Sequence, residues 1–206
     1  QGLSCIGNTA IVTSGDAKGA LGFVTGKHGG CEHLLCYFDQ ETMEKMSIGD
    51  KIDVRSQGQG MKLLDYPDIL LRNMSPELLE KMNITEVDGK LRVGVAKIVP
   101  GCIMGSGLGA STSYYGDYDI TLHDKKLSAE YGLDKLRFGD IVAILDADTR
   151  YGRNFITGAI TIGVVVHSDC ILAGHGPGVT TLMTCKTPLI EAVIDEGANL
   201  ADYFVK

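Results

Sequence analysis

The N-terminal residues alternate short apolar, β-branched runs with turns that contain glycine. This pattern is typical of short strands joined by tight turns. We therefore expect residues 1–62 to form a small β-barrel. Strands are predicted over Thr9–Thr13, Gly22–Thr25, His33–Phe38 and Lys51–Arg55, and a short helix over Glu41–Met46.

The pattern changes in residues 63–92, which we expect to form a connector. Ser75 is a good N-cap and Pro76 suits the first helical position, so a short helix is predicted over Ser75–Met82. Strand patterns then return, and the run Ile160–His167 is almost continuously apolar, which predicts a strand buried on both faces. Further strands are predicted over Leu91–Val99, Ile120–Leu122 and Asp140–Leu145, with weaker signals over Cys170–Ala173 and Thr180–Thr184.

Together these elements predict a mainly β fold, in which an SH3-like barrel precedes a second β-barrel-like unit in residues 93–187, with short helices. Residues 188–206 are expected to form a C-terminal arm. Ile190, Val193 and Ile194 give this arm an apolar side, so we expect it to pack on another surface. A neighbouring subunit of a homo-oligomer is one candidate for that surface.

The amino-acid composition limits which partners and which cellular compartment we expect for the protein. The net charge of −7 makes binding to nucleic acid phosphates unlikely as a general property. No apolar run reaches the length of about eighteen residues that a membrane-spanning helix needs. The six cysteines are scattered rather than arranged as a disulfide framework, which favours free thiols in a reducing, cytoplasmic compartment.

Glycines at alternate positions mark one candidate binding segment, where Gly105, Ser106, Gly107, Gly109 and Ser111 follow one another closely. Such glycines let backbone amides approach an anionic ligand, and nearby hydroxyls can donate to it. Three interpretations stay open at this point: a plain turning loop, a substrate-binding loop, or a loop that carries a nucleophilic serine.

Two pairs of acids form a second candidate, since Asp117 and Asp119, like Asp146 and Asp148, are spaced two residues apart. In an extended strand such residues face the same side. Two carboxylates on one side can bind a divalent cation or share a proton. Surface ion pairs around a β-turn are the alternative.

Two arginines, Arg150 and Arg153, follow the second acid pair. A guanidinium can clamp a carboxylate or a phosphate through two hydrogen bonds. We therefore include both arginines among the predicted substrate-binding residues.

Histidines after the buried strand form a third candidate. His167 and Asp169 share a side if the strand continues, and His175 lies in a loop made rigid by glycine and proline. Two imidazoles and a carboxylate can ligate zinc, iron or manganese, or act as a base and its orienting group. A structural histidine that makes one hydrogen bond is the alternative for each.

A fourth segment contains His28, Cys31, His33 and Cys36. The residue types suit zinc, but the spacing departs from paired CxxC motifs, and the two leucines before Cys36 place that cysteine in a core. His28 is expected at a barrel turn, where it can contribute to a site at the barrel mouth.

Several segments also resemble known families. Residues 10–24 combine a strand, a glycine turn, Lys18-Gly19 and a Gly-x-Val sequence, and they resemble the KOW motif of small barrels. Three longer segments resemble the bacterial and archaeal family called domain of unknown function 4438, whose members extend further at the N-terminus. The resemblance implies a compact β-barrel-like fold and no particular activity. Its segments are 63–68, 104–120 and 137–179.

Two hypotheses for function follow. The first is a small-molecule hydrolase or lyase that acts on a polar anionic substrate, with a divalent metal ion as an open question. Its predicted catalytic residues are His167, Asp169, His175, Asp146 and Asp148. The second is a non-catalytic β-barrel protein that binds or assembles, with RNA association as its least favoured form.

Overall fold

The computed structural model describes residues 2–29, 33–108, 112–167, 170 and 172–205. Strands make up 41% of the chain and helices 15%, so the predicted mainly β fold with short helices is confirmed. The strands are β1 (Thr9–Val12), β2 (Leu21–His28), β3 (His33–Tyr37), β4 (Ile52–Val54), β5 (Leu70–Leu71), β6 (Ile84–Val87), β7 (Lys90–Val95), β8 (Lys97–Pro100), β9 (Met104–Leu108), β10 (Tyr118–Ile120), β11 (Ile141–Asp148), β12 (Asn154–Val165), β13 (Gly178–Cys185) and β14 (Ile190–Ile194). The helices are α1 (Gln40–Lys45), α2 (Pro76–Lys81), α3 (Lys125–Glu130) and α4 (Leu200–Phe204).

The first sheet is antiparallel and has the order β3-β2-β1-β4. Ala10, Val12, Ala17 and Phe38 form its small core. β2 runs on to His28, beyond the predicted end of this strand at Thr25, and this extension carries His28 toward the second sheet. The resemblance to the KOW motif stays a prediction.

The connector contains the predicted short helix. The Ser75 hydroxyl accepts a hydrogen bond from the Leu78 N–H, and Pro76 occupies the first helical position, so α2 begins as predicted. β5 lies in the same stretch and pairs with β13 of the second sheet. The N-terminal part of the chain is thereby joined to the larger sheet by backbone hydrogen bonds.

The second sheet has seven strands in the order β8-β11-β12-β13-β10-β9, with β5 added on β13. β12 is buried without interruption from Ala159 to Val165, which confirms the strand predicted to be buried on both faces. The strand ends at Val165, so His167 emerges just beyond it. The adjacent strand β13 is buried along its whole length, and together the two strands form the centre of the molecule.

The C-terminal arm packs on its own chain. β14 pairs in parallel with β7, and β6 completes a three-stranded sheet in the order β14-β7-β6. Ile190 is buried in the main core, whereas Val193 and Ile194 are exposed. The apolar side of the arm therefore has part of its packing surface within this chain.

The end of β2 lies against the ends of β12 and β13. The Thr180 hydroxyl donates to the Lys27 carbonyl at 3.1 Å, across 153 positions of sequence. A side chain at Gly26 would collide with Val166, since its Cβ would lie 2.3 Å from a Val166 methyl carbon. Glycine at this position therefore allows the close approach that brings His28 beside the end of β12.

Lys27 fixes this junction from inside. Its side chain is fully buried, and its ammonium group donates to the Gly2 carbonyl, the Asn73 side-chain oxygen and the Tyr114 carbonyl at 2.9–3.2 Å. Asn73 in turn donates to the Ser113 carbonyl at 2.6 Å. Two buried polar side chains thus hold the segment that follows residues 109–111 against the first sheet.

Two sequence predictions need correction. The start of the predicted glycine-rich loop is a strand, because Met104–Leu108 forms β9 and pairs with β10. Gly105 lies so close to the Gly174 carbonyl that a Cβ would come within 2.0 Å of it, so glycine there serves strand packing. No strand occurs at the described residues of the Cys170–Ala173 segment, and α3 was not predicted at all.

Candidate functional site

Two acids on the short strand β10 and the residue before it face the end of β12. Asp117 and Asp119 both point toward His167, as their spacing of two predicts for an extended chain. Their side chains are only 3% and 6% exposed. Buried carboxylates require compensation from hydrogen bonds, cations or metal ions. The two acids obtain that compensation in different ways.

Asp119 accepts two hydrogen bonds through its Oδ2. The His175 Nδ1–H donates to its Oδ2 at 3.0 Å, and the Gly176 N–H donates to the same oxygen at 3.3 Å. Its Oδ1 lies 3.4 Å from His167 Nε2. Burial alone would raise the pKa of Asp119, but the interactions with His167, Gly176 and His175 outweigh burial and hold this pKa below its usual value. Asp119 is therefore an ionised group that orients His175.

Asp117 is different, because its Oδ2 is buried and makes no hydrogen bond within the described part of the chain. The nearest partner is His167 Nε2, 2.8 Å away, but the pair lacks the alignment of a hydrogen bond. Two atoms that ligate the same metal ion also lie close together without hydrogen-bond alignment, because each directs its lone pair at the ion. With bonds of about 2.1 Å to the ion, such atoms are roughly 3 Å apart.

His28 completes a set of three ligand atoms. One ring nitrogen of His28, one Asp117 oxygen and one His167 nitrogen all lie within 4.8 Å of one another. The rings of His28 and His167 meet edge to face, with centroids 4.9 Å apart. The three residues come from β2, from the residue before β10 and from just after β12. The fold therefore brings three segments that are distant in sequence together at one point.

Gly178 leaves the space in which the Asp117 and His167 side chains meet. A Cβ at this position would lie 2.1 Å from Asp117 Oδ2 and 2.2 Å from His167 Nε2. Any side chain here would therefore displace both groups, although β13 begins at this residue and tolerates larger residues elsewhere. Glycine at position 178 is required by the site rather than by the turn.

The comparisons with known proteins cover the whole site. Residues 1–80 match the N-terminal domain, and residues 81–204 match the C-terminal domain, of the domain of unknown function DUF4438. The chain belongs to the DUF4438 family. It is also similar to the crystal structure of TM1086, with 50% sequence identity and a TM-score of 0.92, over 98% of this chain and 71% of that chain. No curated protein matches it.

In this DUF4438 protein the candidate site joins both family domains. His28 belongs to the N-terminal domain, whereas Asp117, Asp119, His167 and His175 belong to the C-terminal domain. Within the described residues, no helix is long and apolar enough to cross a membrane.

The second acid pair lies away from these residues. A β-bulge falls at Asp146, between Leu145 and Ala147, and Asp146 has a positive φ of 56°, so the regular alternation expected for a strand is broken there. Asp146 accepts a hydrogen bond from the Gly158 N–H, and Asp148 forms a two-pronged ion pair with Arg150. Neither acid bonds to the site histidines among the described residues. Their predicted catalytic role therefore receives no support from position.

The two predicted arginines have separate environments. The hydrogen bonds and charge of Arg150 lower the pKa of Asp148, so this pair is a buried structural ion pair. Arg153 stacks on the Tyr118 ring at 4.4 Å and donates to the Gly105 carbonyl at hydrogen-bond distance. Burial lowers the pKa of Arg153. Arg153 therefore packs behind β10, beside the residue that lies between the two site acids.

Some predicted residues cannot be placed. Gly109, Ser111 and Asp169 lie outside the described residues, as does Cys31. Ser106 and Gly107 belong to β9, and of the Ser106 side chain nothing further is described. Predictions for a nucleophilic serine or for Asp169 as a ligand therefore stay predictions.

The remaining members of the His28–Cys36 segment do not join the three ligand atoms. His33 stacks on His28 with centroids 5.6 Å apart. Cys36 packs against the core of the first sheet, and burial raises its thiol pKa to about 11. The expectation that His28 contributes from the mouth of the barrel fits its position, whereas its pairing with Asp117 had no local sequence signal.

Proposed function

We propose that the protein is a metal-assisted hydrolase or lyase that acts on a small anionic substrate. A single divalent transition-metal ion would be held by His28, Asp117 and His167. The observation that carries the proposal is the buried Asp117 Oδ2, which has no hydrogen bond and lies 2.8 Å from His167 Nε2.

The donor set fits this class of ion. Two imidazole nitrogens and one carboxylate oxygen are ligands that suit zinc, iron and manganese in proteins. Three protein ligands leave at least one coordination position for water or substrate, which is the arrangement of catalytic rather than structural zinc sites. An ion so held supplies a Lewis acid for a carbonyl or phosphoryl oxygen and lowers the pKa of bound water.

Asp119 and His175 provide the accompanying proton-transfer group. Asp119 accepts the Nδ1–H of His175, which fixes the tautomer and leaves Nε2 of the same ring as the acceptor. The His175 side chain is 43% exposed, so it can reach a molecule that approaches from solvent. Together with the metal ion, this pair would supply the acid–base chemistry that hydrolysis or elimination needs.

The cysteines support a cytoplasmic location within the same proposal. Cys5, Cys36, Cys102 and Cys185 are free thiols. Free thiols persist in reducing compartments, where disulfides are rare.

Metal binding is tested by thermal unfolding of chelator-treated protein with and without Zn²⁺, Mn²⁺ or Fe²⁺, together with elemental mass spectrometry of the natively purified protein. An ion present at about one hundred times its dissociation constant stabilises the folded state by about 2.7 kcal/mol. For a chain of this length, each kcal/mol raises the midpoint by about 2–4 °C. We expect a rise of about 5–11 °C for the bound ion.

The variants His28→Ala and His167→Ala should each abolish this rise. His123→Ala is the matched control, because His123 is exposed and lies outside the three ligand residues. A rise that persists in both ligand variants, or a wild-type protein that neither contains nor responds to any of the three metals, would contradict the proposal.

A further inference from the structure

A cleft of about 690 Å³ opens beside the candidate metal site, and His167 forms part of its wall. This volume lies within the range of about 300–1,000 Å³ that small-molecule sites occupy. The cleft lies between α3, the turn Leu133–Lys135 and the end of β12. A molecule in the cleft would therefore lie against a residue that we propose as a metal ligand.

The interior of the cleft is mainly apolar, although the buried Ser128 also lines it. Leu122 and Leu133 are buried members of the second core, Leu136 packs against that core, and Val165 and Pro177 complete the wall near His167. Buried apolar walls favour apolar ligand surface, because its transfer from water is favourable. They favour a small polar molecule less, because such walls replace few of its hydrogen bonds to water.

Charged groups occupy only the rim. Lys125, Asp134 and Arg137 are exposed, and Arg137 is held by Asp140 at 3.0 Å. Opposite charges at the rim leave no strong excess of either sign there. A polar group of the ligand would therefore find its strongest partner at the His167 end, where the proposed ion lies.

We infer that this cleft binds the body of the substrate, and that the substrate is an organic acid with an apolar, aromatic or hydrocarbon body rather than a small polar metabolite. This inference rests on the proposed function for the reacting end of the molecule. The apolar body lies along the leucine-lined wall, and the acid group lies at His167.

The probe is naphthoate, an aromatic ring system with one carboxylate, and its binding is measured by isothermal titration calorimetry with Zn²⁺-loaded and metal-free protein. Acetate supplies the same carboxylate without the apolar body. We expect naphthoate to bind more than about tenfold tighter than acetate, since burying several ring carbons exceeds the free energy of one decade in affinity. Equal affinities for the two acids would overturn the inference.

Two matched variants locate the binding site. Ala129 lies on α3 and lines this cleft, whereas Ala201 lies on α4 and lines an adjacent apolar cavity of about 320 Å³, which shares Phe138 and Val165 with the cleft. Both alanines are exposed, so a larger side chain is accommodated by the fold. Ala129→Trp should weaken naphthoate binding about tenfold, and Ala201→Trp should leave it within about twofold. The reverse result would assign the ligand to the other cavity and overturn the inference.

A second substitution at Ala129 tests whether weaker binding comes from the cleft itself rather than from a disturbance of α3 by tryptophan. Ala129→Glu places a carboxylate at the rim and should also weaken naphthoate, whereas Ala201→Glu should not. Retained binding in Ala129→Glu would count against the cleft. The two proposals can fail separately. If naphthoate binding depends on Ala129 but not on metal, the inference about the cleft stands and the proposed metal site is not supported. If metal raises the unfolding midpoint but naphthoate does not bind, the proposed metal site stands and the inference about the cleft fails.

Discussion

Replacing Asp117 by asparagine distinguishes a metal ligand from a structural acid. The change keeps the size of the side chain and removes its charge. In metal-free protein, Asp117 Oδ2 is buried without a hydrogen bond, and the side chain is 3% exposed. Leaving a buried polar group unsatisfied costs about 1–3 kcal/mol, and more when the group is charged. Asp117→Asn should therefore reduce the destabilisation of the metal-free fold, because it removes the buried charge while keeping a polar amide.

Attraction to His167 opposes this effect. The two groups are 2.8 Å apart, but they lack hydrogen-bond alignment. We therefore expect a net gain of about 1–2 kcal/mol in the free energy of unfolding of metal-free Asp117→Asn. This gain corresponds to a rise of about 2–8 °C in the midpoint for a chain of this length.

The order of stabilities should reverse when metal is added. Wild-type protein should gain the stabilisation of the bound ion, about 2.7 kcal/mol at one hundred times its dissociation constant. Asp117→Asn lacks an anionic ligand and should gain little. Thermal unfolding of both proteins, with chelator and with Zn²⁺, measures the reversal directly.

Asp119→Asn is the matched control, since Asp119 lies two residues away and is similarly buried. Its carboxylate accepts hydrogen bonds from His175 and Gly176, so the loss of its charge should destabilise the metal-free protein. If Asp117→Asn destabilises the metal-free protein as much as Asp119→Asn does, Asp117 is a structural partner of His167 and the reasoning is refuted.

Three other predictions concern the rest of the fold. Lys27→Met should lower the free energy of unfolding by about 3 kcal/mol in urea titrations, because three buried carbonyl-type acceptors lose their cationic donor; an unchanged midpoint would contradict this role. Arg150 lowers the pKa of Asp148, so this acid stabilises the fold above its unfolded pKa of about 3.9, and that contribution is lost as the pH falls through the lower folded value. Asp148→Asn should therefore be less stable than wild type at neutral pH, with a difference that narrows below about pH 4 in urea titrations; a constant difference would rule out the ion pair as its source. Cys102 is exposed, whereas burial raises the pKa of Cys36 to about 11, so alkylation followed by peptide mass mapping should label Cys102 first, and equal rates would count against the buried thiol.

Local sequence signals predicted the elements whose cause is local. The helix α2 begins where Ser75 and Pro76 predict, and the continuous apolar run predicts the buried part of β12. The glycines near residue 105 were misleading. Glycine is needed at position 105 because the Gly174 carbonyl lies too close for a side chain. This contact joins segments far apart in sequence. A single sequence carries no signal for such a contact.

In the candidate site, too, local features were predicted from the sequence and long-range contacts were not. The spacing of Asp117 and Asp119 predicted that they share a side, and the end of a buried strand predicted that His167 is accessible. The choice of this acid pair over Asp146 and Asp148 depended on a bulge with positive φ, which sequence spacing does not reveal. The sequence had singled out His28, Asp117 and His167 in separate candidates, but not their combination, because it forms across a junction of two domains.

The two family domains meet at that junction in this chain. The N-terminal domain contributes His28 to the proposed ligand set, and β5 adds it to the large sheet of the C-terminal domain. Gly26 and Gly178 both avoid collisions at the same junction, the first with Val166 and the second with Asp117 and His167. Packing against Val166 explains Gly26, but an uncharged residue at position 117 would serve packing as well as the buried acid does. A buried carboxylate without a hydrogen bond, placed where two domains meet and where glycine preserves its space, is better explained by a ligand that both domains bind than by the stability of either.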